Sequence, residues 1–153
     1  MPAFYFIRHA KAGSRGDWDL DDRIRALSKG GFKQAEALVS ILERYPISAV
    51  FTSPYLRCVQ TVEPLARSRG LALQETPALA EGAGLRGAMR FVQDPMLGDA
   101  ALCTHGDVIE ALVDELVSLR LVHASQSALE KGSIWALEVE AGSPVRARYI
   151  SPP

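Results

Sequence analysis

Phe4-Tyr5-Phe6-Ile7 is an unbroken run of four apolar residues, mostly aromatic or β-branched, and it stops abruptly on Arg8 and His9. A run this short and this apolar reads as a strand buried on both faces, the condition of a parallel sheet covered by helices on each side. Two later runs have the same form. Ser48-Ala49-Val50-Phe51-Thr52 leads into Ser53-Pro54, with Arg57 within a helical turn, and Ala100-Ala101-Leu102-Cys103 leads into Thr104-His105-Gly106. In an open α/β sheet, ligands bind beyond the carboxyl ends of the strands. If the three strands lie side by side, Arg8, His9, Arg57 and His105 converge on one site suited to an anion.

The segments between the strands carry helical signals. Ser28 suits a helix N-cap, and Phe32, Ala35, Leu38, Val39 and Leu42 recur with helical period to an end near Tyr45-Pro46. Strand, helix and second strand then form a βαβ unit. Pro54 is expected at the first position of the next helix, and Pro64 is expected to kink or shorten it before Arg69-Gly70. Residues 71–75 read as a short edge strand, 77–87 as a loop and 85–93 as a weak helix broken by Asp94-Pro95. Val108, Ile109, Leu112, Leu116 and Leu119 mark a helix opening near Asp107, while 133–139 and 145–150 alternate by two, as closing strands joined by a turn at Gly142. The expected fold class is α/β: one domain over 1–153, three layers α/β/α, around a mostly parallel central sheet.

Composition excludes several functions. Seventeen basic against eighteen acidic residues, with no basic run, give no surface to track a phosphate backbone, so no nucleic-acid partner is expected. No stretch approaches the roughly 20 apolar residues that span a bilayer, so no membrane partner is expected either. The N-terminal apolar run is too short for a signal peptide and no basic segment precedes it, which with only two cysteines points to a cytoplasmic protein with reduced thiols. Cys58 and Cys103 read as core residues. A cysteine-dependent phosphatase needs Arg six positions after its Cys, and those positions hold Pro64 and Ile109. The aspartates of the 14–23 loop suggest calcium, but a loop begun at Asp17 has Asp22 where an EF-hand needs Gly and Ser28 where it needs Glu. No metal or other cofactor is expected, and the segment reads as a solvated loop at the rim of the site. His123 belongs to no motif and reads as a loop or packing residue.

The residue types define a chemistry. Phosphoryl transfer needs a nucleophile and a positive cradle for the equatorial oxygens. Arg8 and Arg57 supply forked donors that pair with two phosphate oxygens at once, and His105 can add another. Arg57 near a helix N-terminus opposes the helix dipole unless an anion stands in front of both. His9 is the candidate nucleophile: its neighbours should push its pKa below the ordinary 6.5 and keep the ring neutral. Ser53 is placed to help bind the substrate.

Arg-His-Ala after a first strand, Ser-Pro-x-x-Arg after a second and His-Gly after a later one resemble the histidine phosphatase, or phosphoglycerate-mutase-like, superfamily, from Phe4 to about Val139. The Arg25-x-Leu27-Ser28-x-x-Gly31 stretch is also similar. The resemblance implies a phosphoglycerate-mutase-like fold, a phosphohistidine intermediate, and Arg8, His9, Arg57 and His105 as its phosphate pocket. Members often carry a general-acid carboxylate after a Leu, and Leu79-Ala80-Glu81-Gly82 is similar, which makes Glu81 the candidate acid, against an ordinary surface-loop Glu. Only 47 residues separate Arg57 from His105. The chain thereby looks like the small SixA-type phosphohistidine phosphatases, whose open site would admit a phosphorylated protein. The competing enzyme reading is a small phosphorylated metabolite, a sugar phosphate or nucleotide, and the Arg-His-Ala-Lys-Ala-Gly-Ser start also resembles domains appended to Nudix hydrolases. A non-catalytic module binding phosphorylated ligands is the reading from another class, and a mutase is disfavoured because little sequence is left for a lid. A monomer is expected.

Overall fold

The first apolar run forms β1 (Ala3–Arg8), and alternate residues take opposite sides of the sheet. In a computed structural model describing residues 1–153, Phe4 and Phe6 enter one core and Tyr5 and Ile7 the other. The chain continues through α1 (Lys29–Ile41), β2 (Ala49–Thr52), α2 (Leu56–Arg69), the short β3 (Leu73–Glu75), α3 (Gly84–Val92), β4 (Ala100–Thr104), α4 (Gly106–Ser118) and the hairpin β5 (Ile134–Glu140) and β6 (Ser143–Ile150). The strands make one sheet in the order β3-β2-β4-β1-β5-β6. The pairings of β2 with β3, β2 with β4 and β1 with β4 are parallel, and β5 joins β1 and β6 antiparallel. The sheet is therefore mixed, with its parallel part carrying the site.

Leu38 and Leu42 together with Cys58, Val62 and Leu65 of α2 cover one face. Val92 and the α4 residues Val108, Ile109, Leu112 and Leu116 cover the other. The helix that follows β1 therefore lies on one face and the helix that follows β4 on the opposite one, although the two strands are neighbours. This divergence opens a crevice between the carboxyl ends of β1 and β4, the point at which α/β sheets bind ligands.

Four local expectations are corrected. Phe32 stays 46% exposed, because α1 meets the body through Gly31, Gln34, Ala35 and Leu38 instead. Gly31 sets that orientation: a Cβ there would stand 1.8 Å from the Lys11 carbonyl oxygen. The helix ends at Ile41, before Tyr45-Pro46, while Ser28 caps its start as expected, accepting a hydrogen bond from the Gly31 amide. Pro54 lies ahead of α2, whose first residue is Leu56, and Pro64 leaves the helix continuous to a left-handed Gly70 cap. No helix is long and apolar enough to cross a membrane.

Candidate active site

Pairing of β1 with β4 sets Arg8 against Thr104, and the His9 amide continues the ladder by donating to the Thr104 carbonyl at 3.0 Å. The His9 and His105 rings meet edge to face with centroids 5.6 Å apart. Gly106 follows immediately, and a Cβ at that position would come within 2.8 Å of the Arg8 guanidinium. The glycine of the His-Gly pair thus makes room for Arg8. A cleft of about 720 Å³ opens here, lined chiefly by charged and polar residues that include Arg8, His9, Arg15, Arg25, Glu81, Asp107, Glu110 and Lys131. Arg57 and His105 are almost wholly buried behind its wall.

The hydrogen bonds of His9 fix its chemistry. Its Nδ1 lies 2.8 Å from the Ala10 carbonyl oxygen, which can only accept, so Nδ1 carries the hydrogen and Nε2 keeps a free lone pair. Burial is the largest cause of a pKa lowered to about 3; the Ala10 hydrogen bond opposes the shift, and Arg57, His105 and Arg8 reinforce it. The neutral state expected from neighbouring charge is present, but desolvation comes first.

Around this ring the donors are incompletely matched. Arg8 gives Nη1 to the Leu129 carbonyl at 2.8 Å, and Arg57 gives Nη1 to the Asp22 carbonyl at 2.8 Å and Nη2 to the Asp22 carboxylate at 3.0 Å. Both arginines are held by their tips, and both Nε atoms are buried without a partner. His105 Nδ1 is a third such atom, so three of the six buried unpaired side-chain polar atoms belong to this one site. Buried donors are rarely left unmatched in folded proteins, and three together describe the missing counterpart as an acceptor-rich anion.

A model of the histidine phosphatase superfamily (branch 1) matches residues 4–88, more than half of the chain. The chain belongs to the histidine phosphatase superfamily. An 8-oxo-(d)GTP phosphatase of Mycolicibacterium smegmatis is 34% identical over 154 residues, covering 96% of this chain and 47% of that protein, so the chain spans about half the length of this curated relative. Among solved structures, SixA from Agrobacterium tumefaciens superposes with a TM-score of 0.80 at 22% identity over 99% of this chain and 97% of the other. The protein histidine phosphatase SixA complexed with tungstate gives 0.75 at 17% identity, over 98% and 95%. At these identities the superpositions establish the shared fold. The family match and the superpositions agree on one architecture, a central mixed sheet with helices on both faces.

Within this site the remaining candidates divide. Glu81 reaches the cleft, pairing with Arg15 at 3.0 Å and standing 3.6 Å from Arg57. Ser53, like Arg57 and His105, is buried behind the wall of the cleft, and its Oγ lies 2.8 Å from His105 Nε2 while accepting from the Tyr55 amide. Nε2 thus has two polar neighbours, the Ser53 hydroxyl and the Cys58 thiol at 3.5 Å, and in the tautomer in which it accepts from them the ring's own hydrogen stands on the unpaired Nδ1. Ser53 is thereby placed to orient His105. Cys58 and Cys103 are buried free thiols, and burial pushes the Cys103 thiol well up. His123 is exposed, and its ring bonds only Ser125 beside it.

The sequence reading missed Asp22, Arg25 and Lys131. Arg25 is almost fully buried, donates Nε to Asp22 at 2.9 Å and Nη1 to the Gly13 carbonyl, and lines the cleft. Its position in the Arg-x-Leu-Ser-x-x-Gly stretch was the available signal. Lys131 lines the cleft just ahead of β5, its pKa lowered by burial and then by Arg8, Arg25, Arg15 and Arg57. Nothing in the local sequence of Asp22 or Lys131 marks them.

Proposed function

We propose that the protein is a phosphatase that works through a phosphohistidine at His9, most plainly on phosphohistidine carried by a cytoplasmic protein. The observation that carries the reading is the state of His9: Nδ1 committed to the Ala10 carbonyl, Nε2 unprotonated, and three buried unpaired donors on the residues beside it. Nε2 attacks phosphorus, and the bond to the leaving atom breaks with its electrons on that atom. Arg8, Arg57 and His105 Nδ1 hold the equatorial oxygens while charge redistributes. Water then attacks the phosphoenzyme, the P–N bond returns its electrons to Nε2, and phosphate leaves. Glu81 stands in the cleft as proton donor for leaving groups that need one. A phosphorylated imidazole needs little help, since its other nitrogen can take a proton before it departs.

The character of the cleft supports a protein substrate. Only Ala12 and Leu129 are apolar among its lining residues, and apart from His9 no ring is available there for a base to stack on. Between Arg57 and β4 the chain is occupied by α2, β3 and α3, which leaves no insertion to close over a small molecule. The alternative, a nucleotide substrate, is supported by the 34% identical 8-oxo-(d)GTP phosphatase. The deciding experiment is rapid quench after mixing with a chromogenic aryl phosphate, followed by competition between a phosphohistidine-bearing protein and nucleoside triphosphates. An acid-labile, base-stable label in wild type and none in His9→Ala is expected, with kcat/KM favouring the protein. Turnover without any label would refute the covalent route, and preference for the nucleotide would replace the substrate class.

A further inference from the structure

The loop between β1 and α1 ends in a short turn, Asp22–Ile24, capped by Asp21, whose side chain accepts from the Arg23 amide. This turn delivers one carboxylate to three arginines from three parts of the chain. Asp22 lies 3.0 Å from Arg57, 2.9 Å from Arg25 and 3.6 Å from Arg15. We propose that Asp22 is the positioning residue of the phosphate cradle, gripping Arg57 from outside the reacting centre so that its Nε edge is presented to the phosphoryl group. The proposal rests on the phosphatase reading, in which Arg57 binds that group.

The argument follows from the donor geometry of a guanidinium. Arg57 has five N–H groups in a plane, and Asp22 takes one on Nη1 through its carbonyl and one on Nη2 through its carboxylate. That is the tip of the fork. The edge formed by Nε and the other Nη2 hydrogen makes no hydrogen bond: Nε is buried with no partner, and the Glu81 carboxylate stands 3.6 Å from Nη2, beyond hydrogen-bond distance. A carboxylate seated on the Nε edge would compete with phosphate, whereas one seated on the tip leaves the edge free and fixes the plane of the fork. Arg8 is held more loosely, by Nη1 alone on the neutral Leu129 carbonyl, with its Nε likewise unpaired. Both cradle arginines are secured through terminal nitrogens, but only Arg57 is held by two of them, only it is wholly buried, and only it has a carboxylate to offset its charge. Through Arg25 the same carboxylate ties this wall of the cleft to the Gly13 carbonyl.

The test measures inorganic phosphate affinity by calorimetry and phosphoenzyme formation by rapid quench from an aryl phosphate. The proteins are wild type, Asp22→Ala, Asp22→Asn, Arg57→Ala and the Asp22→Ala/Arg57→Ala double variant. Losing the grip should slow phosphoenzyme formation by about 100-fold, the usual penalty of a displaced catalytic group. Phosphate binding should weaken in the same variant, while Asp22→Asn, which keeps an acceptor for Arg57, should recover part of both. In the Arg57→Ala background, Asp22→Ala should add almost nothing, because its effect passes through the missing arginine. A purely structural aspartate would add its penalty in either background. Unchanged or tighter phosphate binding in Asp22→Ala would overturn the proposal, the tighter result making Asp22 a competitor of phosphate. If Asp22→Ala does not fold, Asp22→Asn decides, and wild-type rates with wild-type affinity in that variant would count against a charged grip. Failure of the wild type itself to bind phosphate or form a phosphoenzyme would instead remove the phosphatase reading, and this proposal with it.

Discussion

The low pKa of His9 predicts how the protein loses stability in acid. The ring titrates near 3 when folded and near 6.5 in an unfolded chain. Above pH 6.5 neither state binds the proton and His9 contributes no pH dependence. Between 6.5 and 3 the unfolded state binds it and the folded state does not, so unfolding is favoured as the pH falls, by about 1.4 kcal/mol for each pH unit. By pH 5 the accumulated cost is about 2 kcal/mol, and it levels off only below about pH 3. Replacing His9 with Asn keeps a polar side chain of similar reach and removes this titration. Urea unfolding followed by tryptophan fluorescence, at pH 8 and pH 5, isolates the term if wild type and His9→Asn are compared. The buffer must be free of phosphate, since an anion bound only to the folded cradle stabilises by mass action and masks the effect. Wild type should lose about 2 kcal/mol more than the variant between the two pH values, on the order of 1 M urea in midpoint. Equal losses would mean that His9 takes up its proton at an ordinary pH. The neutral nucleophile would then be unsupported.

Three further outcomes separate the roles of the neighbouring residues. Ser53→Ala removes the partner that holds His105 Nε2 at 2.8 Å, and should lower kcat/KM for aryl phosphates by about 10-fold with KM carrying little of the change, measured by steady-state kinetics. Glu81→Gln should slow alkyl phosphates, whose alkoxide must be protonated, by about 100-fold and leave phosphohistidine turnover within about 3-fold; equal losses on both would make Glu81 part of the cradle. Gly106→Ala drives a Cβ to 2.8 Å from the flexible end of Arg8, so activity should fall by about 100-fold while the melting temperature moves by only a few degrees, read by calorimetry.

What was legible in the sequence follows the physics of strand ends. Arg8, His9 and His105 stand at fixed offsets from apolar runs that can only be buried strands, and Arg57 lies in the first turn of the helix that follows such a run, so each position follows from local pattern and the rule for α/β sheets. Phe32 shows the limit of periodicity. Its spacing fits an apolar stripe, yet the face of α1 that reaches the sheet is chosen by how closely Gly31 approaches the Lys11 carbonyl, a contact between segments 20 residues apart. The contact of Ser53 with His105 was not legible, because chain position says nothing about which of two adjacent groups a short hydroxyl will bond.

Asp22 lay further beyond reach, for a reason that bears on how the cradle works. A loop has no repeat that marks one aspartate among Asp17, Asp19, Asp21 and Asp22, and their alternation invites a cation site. In the structure two of them have arginine partners: Asp21 pairs with Arg23 in the same turn, and Asp22 with Arg25, Arg57 and Arg15. Only the second set crosses between segments. A fully buried Arg57 would be costly in a folded chain awaiting substrate if nothing offset its charge, and an anion bound at the Nε edge could not be that offset without blocking the site. The compensating carboxylate has to come from elsewhere in the chain and to seat on the opposite edge of the guanidinium. The β1–α1 loop is where such a residue can be supplied, because it leaves the strand that carries His9 and returns to the helix that packs on α2. The same constraint accounts for the capped turn at Asp21. A carboxylate that must reach one edge of a fork and avoid the other requires a fixed backbone beneath it.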